Sequence, residues 1–466
     1  MGRAALLYVL LLGSACAATL LGANGCSSGN LFKNPSGPSK IQHVVIIFQE
    51  NRTPDNLFQD PVLISAGADI ASSGLNSSGQ MIQLAPESLG VNYDLSHAHG
   101  AFVNQYDGGK MDGANLVPIA CNVAPCPLNP QYVYVQSSDV QPYFQMAEEY
   151  TFGDRMFQTN EGPSFPAHQF IISGTSAPTA TSNLFVSENT RGGTGCAAPP
   201  SATVFVVDPQ GKESSKIYPR TEHPTLTDQL NAKNLSWRYY TPSATSIWTG
   251  PNAIQHMCGP NAPPPNGTAC IGSDWVNHVV IYNGQNPAPI LTDITSNQLP
   301  AVSWVIPAGK NSDHAGSQLT LGGPSWVASI VNAIGNSSYW ANTAIIVTWD
   351  DWGGWFDHVP PPQVIADGTS WGSGYVYGFR VPLIVISPYA KAAHISHVNH
   401  DFGSILHFME ENFGLSSLGY ADAHADDLSD CFDFNQTPLA FHTINAPLSA
   451  SDFLNDRTPP GDPDDD

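Results

Sequence analysis

Short apolar runs alternate with longer amphipathic stretches over most of the chain. The run at 41–48, IQHVVIIF, is β-branched at its centre and predicts a buried strand of a parallel sheet, because such strands are apolar on both faces. Similar runs predict strands at 203–207, 279–282, 302–306, 344–347 and 383–386. Amphipathic stretches between the runs predict helices at 140–150, 166–174, 226–233, 325–334 and 402–412. This alternation predicts an α/β fold with a mostly parallel sheet sandwiched between helices.

One part of the chain departs from this alternation. The stretch at about 187–275 is rich in Pro, Gly, Ser and Thr and contains three cysteines. We expect it to form a loop-rich insertion or cap, stapled by disulfides, within a single domain at 41–455. A polar linker is predicted at 27–40, and the acidic tail at 456–466 is predicted to be disordered.

The N-terminus has the pattern of an export signal. A basic start, MGR, precedes an apolar run that extends from residue 4 to about residue 21. A transmembrane anchor is the alternative, but a Gly-Ser pair interrupts a run that is barely long enough to span a bilayer. The stretch LGANGCSSG loosely resembles a bacterial lipoprotein cleavage site, in which Cys26 would be lipidated, although Ala23 stands where Leu is usual. We therefore expect residues 1–26 to direct export, giving a secreted, periplasmic or cell-surface lipoprotein.

The charge balance excludes one class of partner. The chain of 466 residues has 16 Lys and Arg against 39 Asp and Glu, a formal net charge of −23. Such a surface repels phosphate backbones, so we expect no nucleic-acid partner. Contact with a membrane is expected only through a lipid anchor or a lipid substrate.

Cysteine usage fits an exported protein. Beyond the N-terminal segment the cysteines are Cys121, Cys126, Cys196, Cys258, Cys270 and Cys431. An even number favours disulfides in an oxidising compartment. Pairing the first with the second and the fourth with the fifth would close short Pro-rich loops and leave Cys196 for Cys431, although the sequence does not choose among the pairings. A zinc cluster is the alternative, but the spacings fit no familiar zinc pattern.

The most informative motif follows the apolar run at 344–347. Asp350 and Asp351 come shortly after it, and a Gly-Gly turn separates them from Asp357 and His358. Adjacent carboxylates raise each other's pKa unless a cation lies between them, so this pattern indicates a metal site or an acid–base site. A solvated acidic loop is the alternative, but the same loop carries two Trp and a Phe.

A second set of oxygen ligands stands at the end of the first strand, where Glu50 and Asn51 follow the run at 41–48. Ligands bind outside the carboxyl ends of strands in open α/β sheets. We therefore expect Glu50 and Asn51 to meet Asp350 and Asp351 around one divalent ion. All-oxygen ligation predicts calcium, magnesium or manganese. A capped strand–helix turn is the alternative for Glu50 and Asn51 taken alone.

The motif GPSFPAHQF places Ser164 at the start of a helix. Such a serine is usually a helix cap. A helix N-terminus also favours an anionic phosphate, and the same position suits a serine that attacks phosphorus beside a metal ion. Two histidines, His97 in DLSH and His314 in SDH, carry only weak signals by themselves.

Together these segments resemble the bacterial phosphoesterase family that contains the non-zinc phosphatidylcholine-type phospholipases C and the respiratory-burst-inhibiting acid phosphatases. The resemblance rests on HVVIIFQENRTPDNLF, DLSH, GGKMDG, GPSFPAHQFIISGTS, SDH, IVTWDDWGGWFDHVPPP and GFRVPLIVISPYAK, which occur in family order from about residue 41 to 415. It implies an alkaline-phosphatase-like fold with a metal-assisted hydroxyl nucleophile.

The resemblance also implies roles for individual residues. The metal-ligand positions correspond to Glu50, Asn51, Asp350 and Asp351, and the nucleophile corresponds to Ser164. Positions that bind phosphoryl oxygens or assist the leaving group correspond to His97, His314 and His358. The chain departs from the family pattern at Thr53, where Ser is common, at Asp351, where Glu is frequent, and at Ala167, where Asn is often found.

The expected function is hydrolysis of phosphomonoesters through a phosphoserine intermediate, because Ser rather than Thr at position 164 resembles the acid-phosphatase branch. Two alternatives remain open. The chain could be a phospholipase C that cleaves phosphodiesters of phospholipid head groups, or a cell-surface binding protein that has kept the fold without catalysis.

Overall fold

The computed structural model of the protein describes residues 39–260, 269–316, 321–362 and 377–459. The predicted export signal with Cys26, most of the predicted linker and most of the acidic tail lie outside these residues. Within the described ranges, no helix combines the length and the apolar character that crossing a membrane requires.

The strands form one large sheet and several small ones. The large sheet contains β1 (His43–Gln49), β8 (Thr151–Phe157), β12 (Trp237–Thr241), β13 (Val279–Ile281), β14 (Val302–Val305), β15 (Thr343–Trp349), β16 (Arg380–Ile386), β17 (His394–Ser396) and β18 (His400–Asp401). The small sheets contain β2 (Ser73–Leu75), β3 (Met81–Gln83), β4 (Ala85–Glu87), β5 (Tyr93–Leu95), β6 (Ile119–Cys121), β7 (Val133–Val135), β9 (Phe185–Val186), β10 (Val204–Val207) and β11 (Glu213–Ile217).

The helices connect these strands. They are α1 (Pro54–Leu57), α2 (Pro61–Ala66), α3 (His99–Tyr106), α4 (Ser137–Glu149), α5 (Ser164–Ser173), α6 (Leu226–Ala232), α7 (Gln255–Cys258), α8 (Ser273–His278), α9 (Pro289–Thr295), α10 (Gly322–Gly335), α11 (Phe402–Phe413) and α12 (Ala450–Asn455). Short 3-10 helices lie at Asp107–Gly109, Ala114–Leu116, Gly250–Asn252, Gly309–Asn311, Ser338–Asn342, Ala421–Ala423 and Ser429–Cys431.

The large sheet is mostly parallel, as predicted. Its strand order is β13-β12-β14-β1-β15-β16-β8-β17, and β18 also pairs with β8. Every described pairing in it is parallel except the two made by β16. The carboxyl ends of β1, β8, β14 and β15 therefore lie at the same edge of the sheet.

Helices pack on both faces of this sheet, because successive side chains of a strand point to opposite faces. Phe48 of β1 packs edge-on against His168 of α5 and Phe402 of α11. Trp349 of β15 pairs in register with the residue after Phe48 and therefore points to the other face, where it contacts Tyr143 of α4. The predicted α/β sandwich is confirmed.

Four strands of the large sheet, β8, β12, β17 and β18, were not expected from the apolar pattern, and the two longest of them, β8 and β12, contain charged residues. β8 contains Asp154 and Arg155, and β12 contains Arg238. Partners distant in sequence satisfy these charges: Asp69 pairs with Arg155, and Asp293 pairs with Arg238. Charged residues therefore interrupt the apolar pattern of β8 and β12, although the other residues of these strands are mostly buried.

The predicted insertion is only partly separate from the large sheet. Strands β9, β10 and β11 form a small antiparallel sheet of their own, which includes the strand predicted at 203–207. By contrast, β12 lies within the same stretch of sequence and pairs in parallel with β14. The insertion therefore contributes one strand to the large sheet and a small sheet of its own, whose buried residues Val204 and Val206 belong to the same hydrophobic core.

Two of the expected disulfides are present, Cys121–Cys126 and Cys258–Cys270. The expectation that Cys196 pairs with Cys431 is wrong, since both are free thiols and both are buried. Cys196 packs in a small hydrophobic cluster beside the Cys258–Cys270 disulfide, whereas Cys431 belongs to the central core. The two thiols thus belong to different parts of the hydrophobic interior.

Candidate active site

The register of two parallel strands brings two carboxylates together. β1 and β15 are neighbours, and Gln49 pairs with Trp349. The residue after each strand carries a carboxylate: Glu50 follows β1 and Asp350 follows β15. Both side chains are fully buried. Ligand atoms of Glu50, Asp350 and His168 all lie within 4.8 Å of one another.

The residues after these carboxylates are held in an unusual backbone conformation. Asn51 has φ of 58°, the left-handed region that non-glycine residues seldom adopt. Its N–H donates to Asp350 Oδ1 at 3.1 Å, and its carbonyl accepts from Trp355 Nε1 at 3.1 Å. A Cβ at Gly353 would lie 2.4 Å from the Asn51 carbonyl oxygen, so this turn requires glycine. The Gly-Gly turn therefore fixes the two ligand-bearing loops against each other.

Ser164 lies beside the same carboxylates. Its Oγ is 3.4 Å from Glu50 Oε2 and 3.5 Å from Asp351 Oδ2, and the side chain is fully buried. Ser164 is the first residue of α5, after Pro163, which gives it the helix N-terminus that the sequence predicted. A hydroxyl between two carboxylates at a helix N-terminus can lose its proton to a carboxylate and attack an electrophile.

His168 is the site residue that sequence reasoning missed. It lies one helical turn after Ser164, and its Nε2 is 3.3 Å from Glu50 Oε1 and 3.8 Å from Asp350 Oδ2. The Tyr239 hydroxyl donates to Trp248 O at 2.9 Å, so it accepts the His168 Nδ1–H at 3.2 Å. The lone pair of Nε2 therefore faces the carboxylates.

Burial lowers the pKa of His168 to about 4, so the imidazole is neutral near pH 7 and its contact with Glu50 is not an ion pair. The spacing of four residues after Ser164 was the available sequence signal, because residues i and i+4 share one face of a helix.

Two further histidines border the carboxylates. His97 Nε2 lies 4.0 Å from Asp351 Oδ2 and 3.0 Å from Asn51 Nδ2, and its Nδ1 donates to Leu95 O at 3.0 Å. The His314 ring lies edge-on to the His97 ring, with centroids 5.7 Å apart.

A buried arginine positions the His314 loop. Arg52 donates from Nε and Nη2 to the carbonyl of Asp313, at 2.8 Å and 2.6 Å. Its guanidinium lies over the Trp355 ring, 4.8 Å from the centroid. Arg52 thus links the segment after β1 to His314 and does not reach the carboxylates.

The carboxylate cluster is electrostatically unfavourable by itself. Burial, and then the charges of Asp350 and Asp351, raise the pKa of Glu50 well above its usual value. Burial also raises the pKa of Asp351 well above its usual value, with Asp350 adding to the effect and His97 opposing it. Among the described residues, no Lys or Arg forms an ion pair with these three carboxylates. The cluster therefore requires either protons or a cation.

Three observations fit a divalent cation at this position. Asp350 Oδ2 is buried and has no hydrogen-bond partner among the described residues. The unprotonated Nε2 of His168 faces two carboxylates. When Asn51 Nδ2 donates to His97 Nε2, the amide oxygen of Asn51 faces only other acceptors. Rotating the amide by half a turn gives both its oxygen and its nitrogen a partner, but only if His97 Nε2 carries a proton. These lone pairs repel one another without a cation and would coordinate one.

Gln158 joins the two halves of the site. Its Nε2 donates to Gly162 O at 3.0 Å, in the turn before Ser164. Its Oε1 accepts from Trp352 N at 3.2 Å, directly after Asp351. One amide therefore fixes the distance between the Ser164 turn and the Asp351 loop.

His358 does not join the other predicted site residues. Its Nδ1 lies 2.7 Å from Asp55 Oδ2 and its Nε2 lies 3.0 Å from Asp69 Oδ1. Arg380 in the same cluster donates from Nε to Asp357 at 2.9 Å. Burial lowers the pKa of His358, but Asp55 and Asp357 more than offset this and raise it to about 9. Because Asp55, Asp69 and Asp357 are paired with these cations, this cluster forms an ion-pair network that engages both ring nitrogens of His358.

The structure thus brings together seven of the eight predicted site residues and adds one. The residues that converge are Glu50, Asn51, His97, Ser164, His314, Asp350 and Asp351, and the addition is His168. A further group, Asp228, His256 and Asp274, lies within the insertion and is exposed or half-buried, in contrast to the fully buried cluster.

Comparison of the sequence with known protein families identifies the family of this chain. The sequence model of the Phosphoesterase family matches residues 41–416, which include every residue of the cluster. The chain belongs to the phosphoesterase family. As a member of that family, it is a hydrolase that acts on phosphoric ester bonds.

The chain is also similar to proteins that are named for an activity. Phospholipase C B of Mycobacterium tuberculosis is 25% identical over 91% of this chain and 85% of its own length. The non-hemolytic phospholipase C of Pseudomonas aeruginosa is 24% identical over 84% of this chain and 57% of its own length. Among solved structures, an alkaline phosphatase superfamily protein from Vibrio parahaemolyticus matches 83% of this chain and 71% of its own, with a TM-score of 0.37 and 11% identity.

Proposed function

We propose that this phosphoesterase hydrolyses its substrate through a phosphoserine intermediate formed on Ser164. The observation that carries the proposal is the position of Ser164 Oγ, 3.4 Å from Glu50 and 3.5 Å from Asp351 at the start of α5. A hydroxyl within reach of two buried carboxylates has an acceptor for its one proton as it attacks phosphorus. The dipole of α5, whose N-terminal end carries Ser164, supports the negative charge of the phosphoryl group.

A divalent cation belongs in the proposed chemistry. The side chains that would hold it are Glu50, Asn51, Asp350 and Asp351, together with His168. When bound, such an ion lowers the pKa of a nearby hydroxyl and offsets negative charge in the transition state. The imidazole changes the expected metal, because a set with one nitrogen donor favours manganese or another transition metal over calcium.

The histidines at the rim take the role of proton donors. In the first step the phosphorus–oxygen bond to the leaving group breaks, and His97 or His314 protonates the departing oxygen. In the second step water attacks the phosphoserine, and the same histidine accepts the proton of the water. The bond between phosphorus and Ser164 Oγ breaks, and the serine oxygen regains its proton from the carboxylate that had accepted it. His97 can take this role in its doubly protonated form, in which Nδ1 donates to Leu95 O and the Nε2–H faces the site.

Phospholipid diesters are the substrate class that the site favours. Three carboxylates carry more negative charge than one divalent ion offsets, and no described Lys or Arg reaches them. A phosphodiester has a single negative charge and is repelled less than a fully ionised monoester. The relatives named phospholipase C support the same class.

Phosphomonoesters in acid are the second candidate, and they are the substrate that the sequence led us to expect. Below about pH 6, the second pKa of a phosphate ester, a monoester also carries one negative charge. The same charge argument then no longer disfavours it.

Paired substrates test the proposal. Hydrolysis of nitrophenylphosphorylcholine and of nitrophenyl phosphate is measured from pH 4 to pH 9 with manganese, magnesium or calcium present. We expect metal-dependent diester hydrolysis across this range, and monoester hydrolysis only at its acidic end. Acid-quenched protein should carry phosphate on Ser164, as read by mass spectrometry of its peptide. Activity without that phosphopeptide, under conditions in which dephosphorylation is slowed, would rule out the covalent intermediate.

A further inference from the structure

A residue of the insertion reaches the helix end that carries Ser164. Asn189 follows the short strand β9, and its Oδ1 accepts from the N–H of Phe165 at 3.0 Å. Phe165 is the second residue of α5, directly after Ser164. A backbone N–H can only donate, so the atom of Asn189 that faces it is the oxygen, and the identity of the amide nitrogen is thereby fixed.

That nitrogen is a buried donor without a partner. Asn189 is 4% exposed, and its Nδ2 has no hydrogen bond to any residue that the structure describes. Buried donors of this kind are rare, because they lose their hydrogen bonds to water without replacing them. An unpaired N–H group at a helix N-terminus, beside a nucleophile that acts on phosphate, has the chemistry of a phosphoryl-oxygen donor.

The small sheet of the insertion holds Asn189 in place. Val186, at the end of β9, donates its N–H to Ser176 O at 3.1 Å and accepts from Ser176 Oγ at 3.1 Å, just beyond the other end of α5. Ser187 donates to Phe205 O of β10 at 3.1 Å. A Cβ at Gly162 would lie 2.1 Å from Ser187 O, so the turn before Ser164 packs directly against this segment. The Asn189 amide therefore stands on a rigid support, as a ligand-binding group requires.

We propose that Asn189 Nδ2 donates a hydrogen bond to a non-bridging oxygen of the phosphoryl group bound beside Ser164. The inference rests on the proposed function in taking phosphate as the ligand of this site. It assigns to the insertion a direct role in substrate binding in addition to its structural one. The bound ligand would be a phosphate ester or inorganic phosphate itself.

Two substitutions separate the two roles of the amide. Asn189→Asp keeps an oxygen that can accept from Phe165 N–H but removes the donor. Asn189→Ala removes both without adding a charge. Asn283→Asp is the matched control, because Asn283 Oδ1 also accepts backbone N–H groups, from Gln285 at 2.9 Å and Asn286 at 3.0 Å, in an exposed turn after β13.

Isothermal titration of inorganic phosphate into the metal-loaded full chain, with thermal unfolding of each variant, gives the test. We expect Asn189→Asp and Asn189→Ala each to weaken phosphate binding by about 10-fold or more. Only Asn189→Ala should lower the Tm, since it alone removes the oxygen that accepts from the Phe165 N–H at the start of α5. Asn283→Asp should change neither quantity.

The opposite pattern would overturn the inference. If either Asn189 variant binds phosphate as the natural chain does, Nδ2 is not a phosphate donor. Weakening by Asp but not by Ala would also overturn it, because an added charge rather than a lost donor would then explain the effect. Titration measures binding and needs no turnover. If Ser164 is not the nucleophile, the kinetic assays will show it, and the phosphate affinities of the Asn189 variants can still be interpreted.

Discussion

Ser164 and His168 lie one helical turn apart on α5 and contact opposite oxygens of one carboxylate, that of Glu50. Ser164 Oγ is 3.4 Å from Oε2, and His168 Nε2 is 3.3 Å from Oε1. A single buried helix face therefore presents both a hydroxyl and an imidazole to the end of β1. This arrangement separates two functions that can be tested one at a time, nucleophilic attack and metal retention.

Replacing the hydroxyl should abolish turnover and leave the fold intact. Ser164→Ala removes the proposed nucleophile but no helix cap, because the N-cap position of α5 is Pro163. We expect kcat to fall by at least about 1000-fold, within the range seen when a nucleophile is removed. Stopped-time assays with nitrophenylphosphorylcholine measure this, and circular dichroism checks the fold. Ser173→Ala, near the other end of the same helix, serves as the control and should keep its activity.

Replacing the imidazole should release the metal. In His168→Gln the donor that faces Glu50 and Asp350 is lost, so we expect affinity for manganese to fall by about 10-fold to 100-fold. Mass spectrometric metal analysis after dialysis against a chelator buffer gives the readout. His407→Gln is a suitable comparison, since the Nδ1 of His407, on α11, donates to the Ala425 carbonyl at 3.0 Å and does not belong to the proposed ligand set. Equal metal content in both variants would remove His168 from the ligand set.

Removing one carboxylate should have opposite effects with and without metal. Asp350→Asn relieves repulsion in the metal-free cluster, so the metal-free variant should unfold at a higher temperature than the metal-free natural chain. An ion at 100 times its Kd stabilises the natural chain by about 2.7 kcal/mol, and the variant should lose this increment. Thermal unfolding with chelator and with manganese measures both. Asp433→Asn, in a half-buried turn where Oδ1 accepts from the N–H of Asn435, should show neither effect.

A buried histidine outside the active site should make stability depend on pH. Burial lowers the pKa of His400, but its hydrogen bond to Asp426, with help from Cys431, raises it to about 10. The unfolded chain loses this proton near the usual value of 6.5, whereas the folded chain keeps it up to about pH 10. The stabilisation is therefore complete below pH 6.5 and is lost as pH rises through about 10.

Urea unfolding of the natural chain and of Asp426→Asn at pH 6, 8 and 9.5 measures this dependence. We expect the free energy of unfolding of the natural chain to fall with pH more steeply than that of the variant over this interval. The difference between the two slopes should be about 1.4 kcal/mol per pH unit. Parallel pH profiles of the two proteins would show that the His400–Asp426 pair does not carry the linkage.

The thiol chemistry should follow the observed pairing. Alkylation without reductant should modify neither Cys196 nor Cys431 in the folded protein and should modify both after unfolding. Burial raises the pKa of both thiols, which further slows their reaction in the folded state. Peptide mass spectrometry identifies the sites. Modification of Cys121 or Cys258 in unfolded, unreduced protein would contradict the two disulfides.

The sequence predicts the core of this fold well because its central strands are apolar on both faces. β1, β14 and β15 lie where continuous apolar runs predict them. β8 was missed because Asp154 and Arg155 interrupt its pattern, and their partners are Asp69 and His397, which only the folded chain brings near. Sequence patterns report local periodicity and cannot report a partner far along the chain.

The same limit separates what could be predicted of the site from what could not. Glu50 and Asp350 follow parallel strands, so a general rule of α/β sheets brings them to one edge. His358 follows Asp350 closely in sequence, yet the ion pairs with Asp55 and Asp69 hold it in another cluster. Asn189 carries no motif at all, and only its contact with Phe165 draws attention to it.

The pairing of Gln49 with Trp349 also bears on how the protein folds. The ligand-bearing loops that follow these strands are 300 residues apart in sequence, as Asn51 and Asp351 show. Closing so long a loop is slow, and the ligands are assembled only once the central strands have found each other. An ion would therefore recognise the finished sheet and not its precursors. Because it would bind only the native state, it would slow unfolding and leave the rate of folding nearly unchanged.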